Sequence, residues 1–538
     1  MTPSEIEYLF RGSATPPSKV LPGEPPFTTR PELKGIFGMV ASTHWLGTAA
    51  GMSILEKGGN AFDAAVATAL TLQVVEPSMA GPGGDAPIVL YDAKSDDVKV
   101  ICGQGVAPAK ATVDAYRHLG LDIVPGAGLL PLVVPGAFGA FMLLLRDWGT
   151  MSVRDVLEPA IGHARNGYPI GARVVATIEA LKDLFVEHWP SSAAVYCPDG
   201  NVPKPDQLFS NPVLADTFER ILREAEAVGG DREGQIEAAR DAFYQGFVAE
   251  SIDGFCRDNE FLDTSGRAHG GFLSGEDLAS WSPGVEAPLS LDYENFSVFK
   301  CGPWSQGPVF LQQLALLKGF NLGAMDPNGE AFVHYVTECT KLAFADREKF
   351  YGDPNFVDVP MEGLLSDDYG ALRRHMIDSS KAFGEMPPPG SAEQLGITPR
   401  KNVEVGKKAS GFKEMAVDTA YTCVIDKYGN AFSATPSDGQ HSSPMIPGLG
   451  FVPSNRGSQS WTDPNNPACM AAGKRPRLTP NPALAIKENE WIMPFGSPGN
   501  DVQPQAMIQV LLNQNLWGMR PLEAVEAPRV ASTNFPRS

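Results

Sequence analysis

The stretch DTAYTCVIDKYGNAFSATPSDG, residues 418–439, decides how the rest of the chain is read. From Thr419 to Ile425 it crowds together β-branched and aromatic residues, which suit a pleated, half-buried strand. Asp426-Lys-Tyr-Gly-Asn430 then breaks the run with turn formers, and Ala431-Phe-Ser-Ala-Thr435 resumes it. The segment predicts a β-hairpin. The text directly before it differs. Pro387–Lys413 carries PPPG, Gly396, Lys407-Lys408 and Gly411 without apolar periodicity, which predicts an exposed linker. A linker running into a strong hairpin suits a processing junction, but the signal is weak, because most such junctions are plain loops. Thr419 alone settles nothing, because threonine is simply a good strand residue.

Upstream of the linker the pattern alternates. GTAAGMSILEKGGNAFDAAVATALTLQVVEP predicts two helices with small residues on their packing faces, parted by the Gly58-Gly59-Asn60 turn. Ala86–Tyr91 and Val98–Cys102 predict a second hairpin with the charged run Asp92–Asp97 as its turn. Between 150 and 350, SVRDVLEPAIGHARNG, NPVLADTFERILREAEAVGG and GEAFVHYVTECTKLAFADREKF have helical spacing with caps and stops. Residues 1–38 read as a proline-rich surface arm, and no internal repeat is visible.

Composition narrows the function. The chain has 538 residues, 43% hydrophobic and 20% charged, which is ordinary for a globular protein with a substantial core. Its net charge of -20 repels phosphate backbones and anionic lipid, so neither nucleic acid nor a membrane surface is an expected partner. No apolar run is long enough for a membrane span or a signal peptide, so a cytoplasmic location is expected. The seven cysteines are scattered and lack C-x-x-C spacing, against both a disulfide framework and a zinc site. There is no Walker, Rossmann or histidine-metal pattern, and no metal or organic cofactor is expected. Nor is there a G-x-S-x-G elbow to suggest a serine hydrolase.

Four blocks in one order carry a resemblance. GGNAFDAAVATALTLQVVEPSMAGPGGD (58–85), FADREKFYGDPNF (344–356), residues 418–439 and GKRPRLTPNPALAIKENEWIMPFGSPGNDVQPQAMIQVL (473–511) together resemble the γ-glutamyltranspeptidase family of N-terminal-nucleophile hydrolases. The matching hairpin residues are Thr419, Val424, Asp426, Gly429, Asn430 and Ala431. The resemblance implies an α+β fold, a four-layer αββα sandwich shared by a large segment (39–418) and a small one (419–538). It implies self-cleavage between Asp418 and Thr419, after which Thr419 is the nucleophile and its freed α-amine the base. The two segments would stay associated. The substrate would be a small-molecule amide, with water or an amine as acceptor. Ser437 falls where the family has a second hydroxyl beside the nucleophile; as a residue in TPSDG it reads equally as a turn cap. Gly499 and Asn500 fall where backbone N–H groups form the oxyanion hole, although GSPGND also reads as a β-turn.

The sequence departs from the family where the glutamate head group is held. Gln104 replaces the arginine that grips the α-carboxylate, and Leu478-Thr479 replaces a serine pair. Ser458 and Gln459 lie near the expected acidic residue, and Gly439 stands in place of an asparagine. A neutral amide does not replace a bidentate arginine. The implied acyl specificity is therefore shifted from glutathione toward the amidohydrolase and acylase branch. Two alternatives stay open: a true γ-glutamyl enzyme using another cation, and a non-catalytic binding relative. Arg456, Arg477 and His441 are the cations in range, and each reads as a solvated loop residue rather than a ligand. The small segment stops soon after Ala527-Pro528-Arg529, earlier than the resemblance implies, so C-terminal truncation is expected.

Overall fold

The expected hairpins become the centre of a sheet. The structure is a computed structural model that describes residues 28–396, 419–533 and 535. Its principal strands are Gly38–Ser42 (β1), Ala86–Asp92 (β2), Asp97–Gly103 (β3), Gly284–Glu286 (β4), Leu289–Tyr293 (β5), Phe296–Lys300 (β6), Thr422–Asp426 (β7), Ala431–Ala434 (β8), Ala483–Lys487 (β9) and Trp491–Phe495 (β10). They form a six-stranded sheet, β1-β7-β8-β2-β3-β4, and a four-stranded sheet, β10-β9-β6-β5. Each neighbouring pair is antiparallel.

Local chemistry fixes the central hairpin. Asp426 Oδ1 accepts from the Tyr428 and Asn430 N–H groups at 2.8 and 3.1 Å, and Gly429 takes the turn at φ 88°. Asp426 Oδ2 also accepts from the Ala61 N–H at 2.8 Å. That bond ties the hairpin to the start of helix Ala61–Val75 (α2), which follows Trp45–Glu56 (α1) after the predicted turn. Asn60 and Asp63 close a capping box there. The three helices expected between 150 and 350 are Val153–Asn166, Pro212–Ala227 and Glu330–Phe350.

Three apolar layers then define the architecture. Ile88, Leu90, Ile101, Val424 and Phe432 face the helical layer that contains α2. Their sheet's other face presents Val89, Val100 and Cys102 to Leu484 of the smaller sheet. Val298, Ala483 and Ala485 pack outward against Gly307–Leu317 (α3), Glu330–Phe350 (α4) and Val502–Trp517 (α5). Helix, sheet, sheet, helix: this is the αββα sandwich expected from the sequence. Among the described residues no helix is long and apolar enough to cross a membrane.

Two expectations need correction. Strand β7 begins at Thr422, so Thr419 precedes the strand rather than opening it. The first part of the expected linker is not loose either. Pro387 and Gly390 are buried, and the Gly390 N–H donates to Asp346 Oδ1 at 2.8 Å. Asp418 and the rest of that linker lie outside the described residues, as does the arm through residue 27.

Candidate active site

Thr419 is wholly buried, with its Oγ1 3.0 Å from Ser437 Oγ. Backbone bonds at both ends of the hairpin make that meeting. The Ala420 N–H donates to Pro436 O at 2.8 Å, and Thr43 N–H donates to Tyr421 O at 3.1 Å. Ser437 and Asp85 exchange backbone bonds, Ser437 N–H to Asp85 O at 3.0 Å and the reverse at 3.4 Å. Such close passage requires glycine. A Cβ on Gly84 would fall 2.1 Å from Ser437 O, and one on Gly83 would fall 1.9 Å from Val452 O. The glycine-rich turn in the first block thus serves to let two backbones touch beside Thr419.

The next residues out are charged. Arg456 opens a short 3₁₀ turn, Arg456–Gln459. Its Nε donates to Asp85 Oδ2 at 2.5 Å and its Nη2 donates to Ser437 Oγ. Gln459, with its amide turned so that both ends are satisfied, accepts from Arg456 Nη1 at 3.2 Å and donates to Arg477 O at 3.1 Å. Asp438, at φ 76°, accepts from Ser454 Oγ at 2.5 Å and Asn455 N–H at 2.7 Å, which clamps the Ser437 loop to the Arg456 loop.

Gly499 and Asn500 adopt left-handed geometry, φ 119° and 48°, just before α5. Their carbonyls are used: Gly499 O accepts from Val502 N–H at 2.9 Å, and Asn500 O accepts from Gln306 Nε2 at 2.8 Å. Their N–H groups make no hydrogen bond among the described residues, which leaves two donors at a helix N-terminus. The loop is anchored by charge. Arg347 Nη1 donates to Asp501 Oδ1 at 2.6 Å and its Nε to Glu348 Oε1 at 2.8 Å, and Arg477 reaches the same Glu348 oxygen at 3.0 Å. Burial lowers the Arg477 pKa, with Glu348 opposing that shift. Gly496 sets the loop against Tyr421, two residues after Thr419, since a Cβ there would lie 2.2 Å from Tyr421 Cε2.

The predicted acyl-binding residues are less of a unit. Gln104 is buried and its Nε2 donates to Pro476 O, while its Oε1 has no partner among the described residues. Leu478 packs in the core between the sheets with Val89, Cys102 and Trp304. Thr479 Oγ1 is buried without a partner among the described residues, and Ser458 is half-buried. Gly439 is a tight fit, for a Cβ would meet the Ser78 carbonyl at 2.6 Å; an asparagine there requires the loop to shift. Arg456, Arg477 and His441 are all buried, which overturns their reading as solvated loop residues. Asp85 was missed as a site residue. The signal was an acid directly after paired glycines, where burial demands a cation.

The γ-glutamyltranspeptidase family model matches residues 47–538. The chain belongs to that family. It is 30% identical over 494 residues to the glutathione hydrolase-like YwrD proenzyme of Bacillus subtilis (strain 168), covering 91% of this chain and 84% of that one. The solved structure of LmbA2991HD superposes with TM-score 0.86 at 45% identity, covering 94% of this chain and 86% of that chain. The cephalosporin acylase of Bacillus halodurans superposes with TM-score 0.80 at 30% identity, covering 95% and 87%. Other relatives are proenzymes named as acylases and as an oxamate amidohydrolase. The protein is thus an N-terminal-nucleophile hydrolase proenzyme related to acylases and amidohydrolases.

Proposed function

We propose that this chain cleaves itself between Asp418 and Thr419 and then hydrolyses or transfers an acyl group from an amide, with Thr419 as nucleophile. The observation that carries the reading is the buried Thr419–Ser437 hydroxyl pair at 3.0 Å. A hydroxyl needs a base to attack. Cleavage would free the Thr419 α-amine, which takes the Oγ1 proton as the oxygen attacks the amide carbonyl. In this reading the Gly499 and Asn500 N–H groups would donate to the oxyanion, from a loop with a left-handed backbone just before α5. The α-amine returns the proton to the departing amine. Water or an acceptor amine then releases the acyl group from the threonine ester.

The acyl group in this reading is not γ-glutamyl. Gln104 is neutral and already donates one amide N–H to Pro476 O, so it offers a carboxylate neither the charge nor the forked pair of donors of an arginine. Arg456 and Arg477 are committed to Asp85 and Glu348 and are poor substitutes for the missing arginine. Glutathione hydrolysis remains the second reading, favoured by the name of the Bacillus subtilis relative. Mass-spectrometric mapping of the enzyme during turnover of a slow glutaryl or oxamate-type amide tests the proposal. An acyl ester on the Thr419 peptide is expected; an acyl group on any other residue overturns it.

A further inference from the structure

Resting on the Thr419 reading, we infer that Arg456, held by Asp85, is a positioning residue that orients and polarises the Ser437–Thr419 hydroxyl pair. Guanidinium only donates, so Ser437 Oγ must be the acceptor in its contact with Arg456 Nη2. Drawing charge from that oxygen makes the Ser437 O–H a stronger donor. The atom 3.0 Å away is Thr419 Oγ1. When water attacks the acyl ester, the bond from the carbonyl carbon to Thr419 Oγ1 breaks and the electron pair stays on that oxygen. As an ester oxygen Oγ1 bears no proton, so in the acyl-enzyme Ser437 O–H would be the donor across this contact, and it stabilises the departing oxygen until the α-ammonium returns the proton.

Asp85 makes the arrangement workable. Its carboxylate pairs with the buried guanidinium, and its 2.5 Å bond to Nε fixes the plane of the fork. The residues come from three places: Asp85 before β2, Ser437 after β8, and Arg456 in its own turn. Glycine contacts and the Asp438 clamp hold all three in register. A merely structural arginine would tie these loops together without acting through Ser437.

A double-mutant cycle separates the two roles. Arg456→Gln, Ser437→Ala and the double variant are made in the full chain, with Arg456→Lys as a charge-retaining companion should Arg456→Gln fail to fold. Self-cleavage rate by intact mass, kcat, KM and melting temperature are read for each. With Ser437 present, Arg456→Gln should lower kcat by about 30-fold or more with KM little changed, and in the Ser437→Ala background by less than about threefold. Arg456→Lys should fall between, by about tenfold, because an ammonium keeps the charge but lacks the rigid planar fork that spans Asp85 and Ser437. Equal losses in both backgrounds, a loss confined to KM, or an unimpaired Arg456→Gln would overturn the inference. A Thr419→Ala protein that still turns over would instead remove the nucleophile reading beneath it.

Discussion

Two buried arginine networks stand in the candidate site, and they differ in where they end. Around α5, Arg347 and Arg477 meet Asp501 and Glu348, cation against anion, and the last link is the backbone of the Gly499–Asn500 loop. Around Ser437 the Arg456–Asp85 pair ends on a neutral hydroxyl that touches Thr419. The first network pairs cations with anions and supports a loop, with Gln306 linking Arg347 to Asn500 O. The second carries a guanidinium to within two hydrogen bonds of Thr419 Oγ1, the oxygen proposed to react. Charge is therefore used twice in this site, once as scaffold and once beside the chemistry.

The largest expected effect belongs to the oxygen itself. Thr419→Ala should abolish both chain cleavage and turnover, while Thr419→Ser should keep part of each, as followed by intact mass and an amidase assay. Next comes the scaffold network. Arg347→Met would strand Asp501 and Glu348 as buried, half-compensated charges, and should cost about 3–5 kcal/mol of stability by chemical denaturation. If Arg347→Met leaves stability intact but removes activity, the contrast between the two networks collapses. A third effect concerns the acyl pocket. A γ-glutamyl anilide should be disfavoured by about 2–5 kcal/mol of transition-state binding relative to an acyl group without an α-carboxylate. Gln104→Arg should narrow that gap in kcat/KM. Restoring serine at Leu478 should instead destabilise the protein by about 2–5 kcal/mol, since it removes an aliphatic side chain from the inter-sheet core. The smallest effect is at Asn500. Only its backbone is used, so Asn500→Gly should hold kcat within about threefold and relieve the modest strain of φ 48°.

Period-two and period-3.6 patterns made both hairpins and the long helices readable, because those elements are dictated by neighbours in sequence. Asp426, Gly429 and Asn430 were recognisable as a motif, and their work proves to be the turn and the anchor to α2. The start of β7 was misplaced because Thr419–Tyr421 read as strand but bond to Pro436 and Thr43 as irregular chain. The arginines were misread for a different reason. Whether a charge is buried depends on its partner, and Arg456 and Asp85 lie 371 residues apart in sequence. No local pattern announces such a pair. Leu478 failed likewise: a position aligned with a ligand-binding serine points its side chain into the core.

The central claim is that Thr419 becomes a chain terminus and then the nucleophile. Freshly purified protein, incubated and analysed by intact mass with N-terminal sequencing, tests it directly. The account predicts two associated fragments, the smaller beginning Thr-Ala-Tyr-Thr, and an uncut chain for Thr419→Ala. Full amidase activity from a chain that stays in one piece would contradict it.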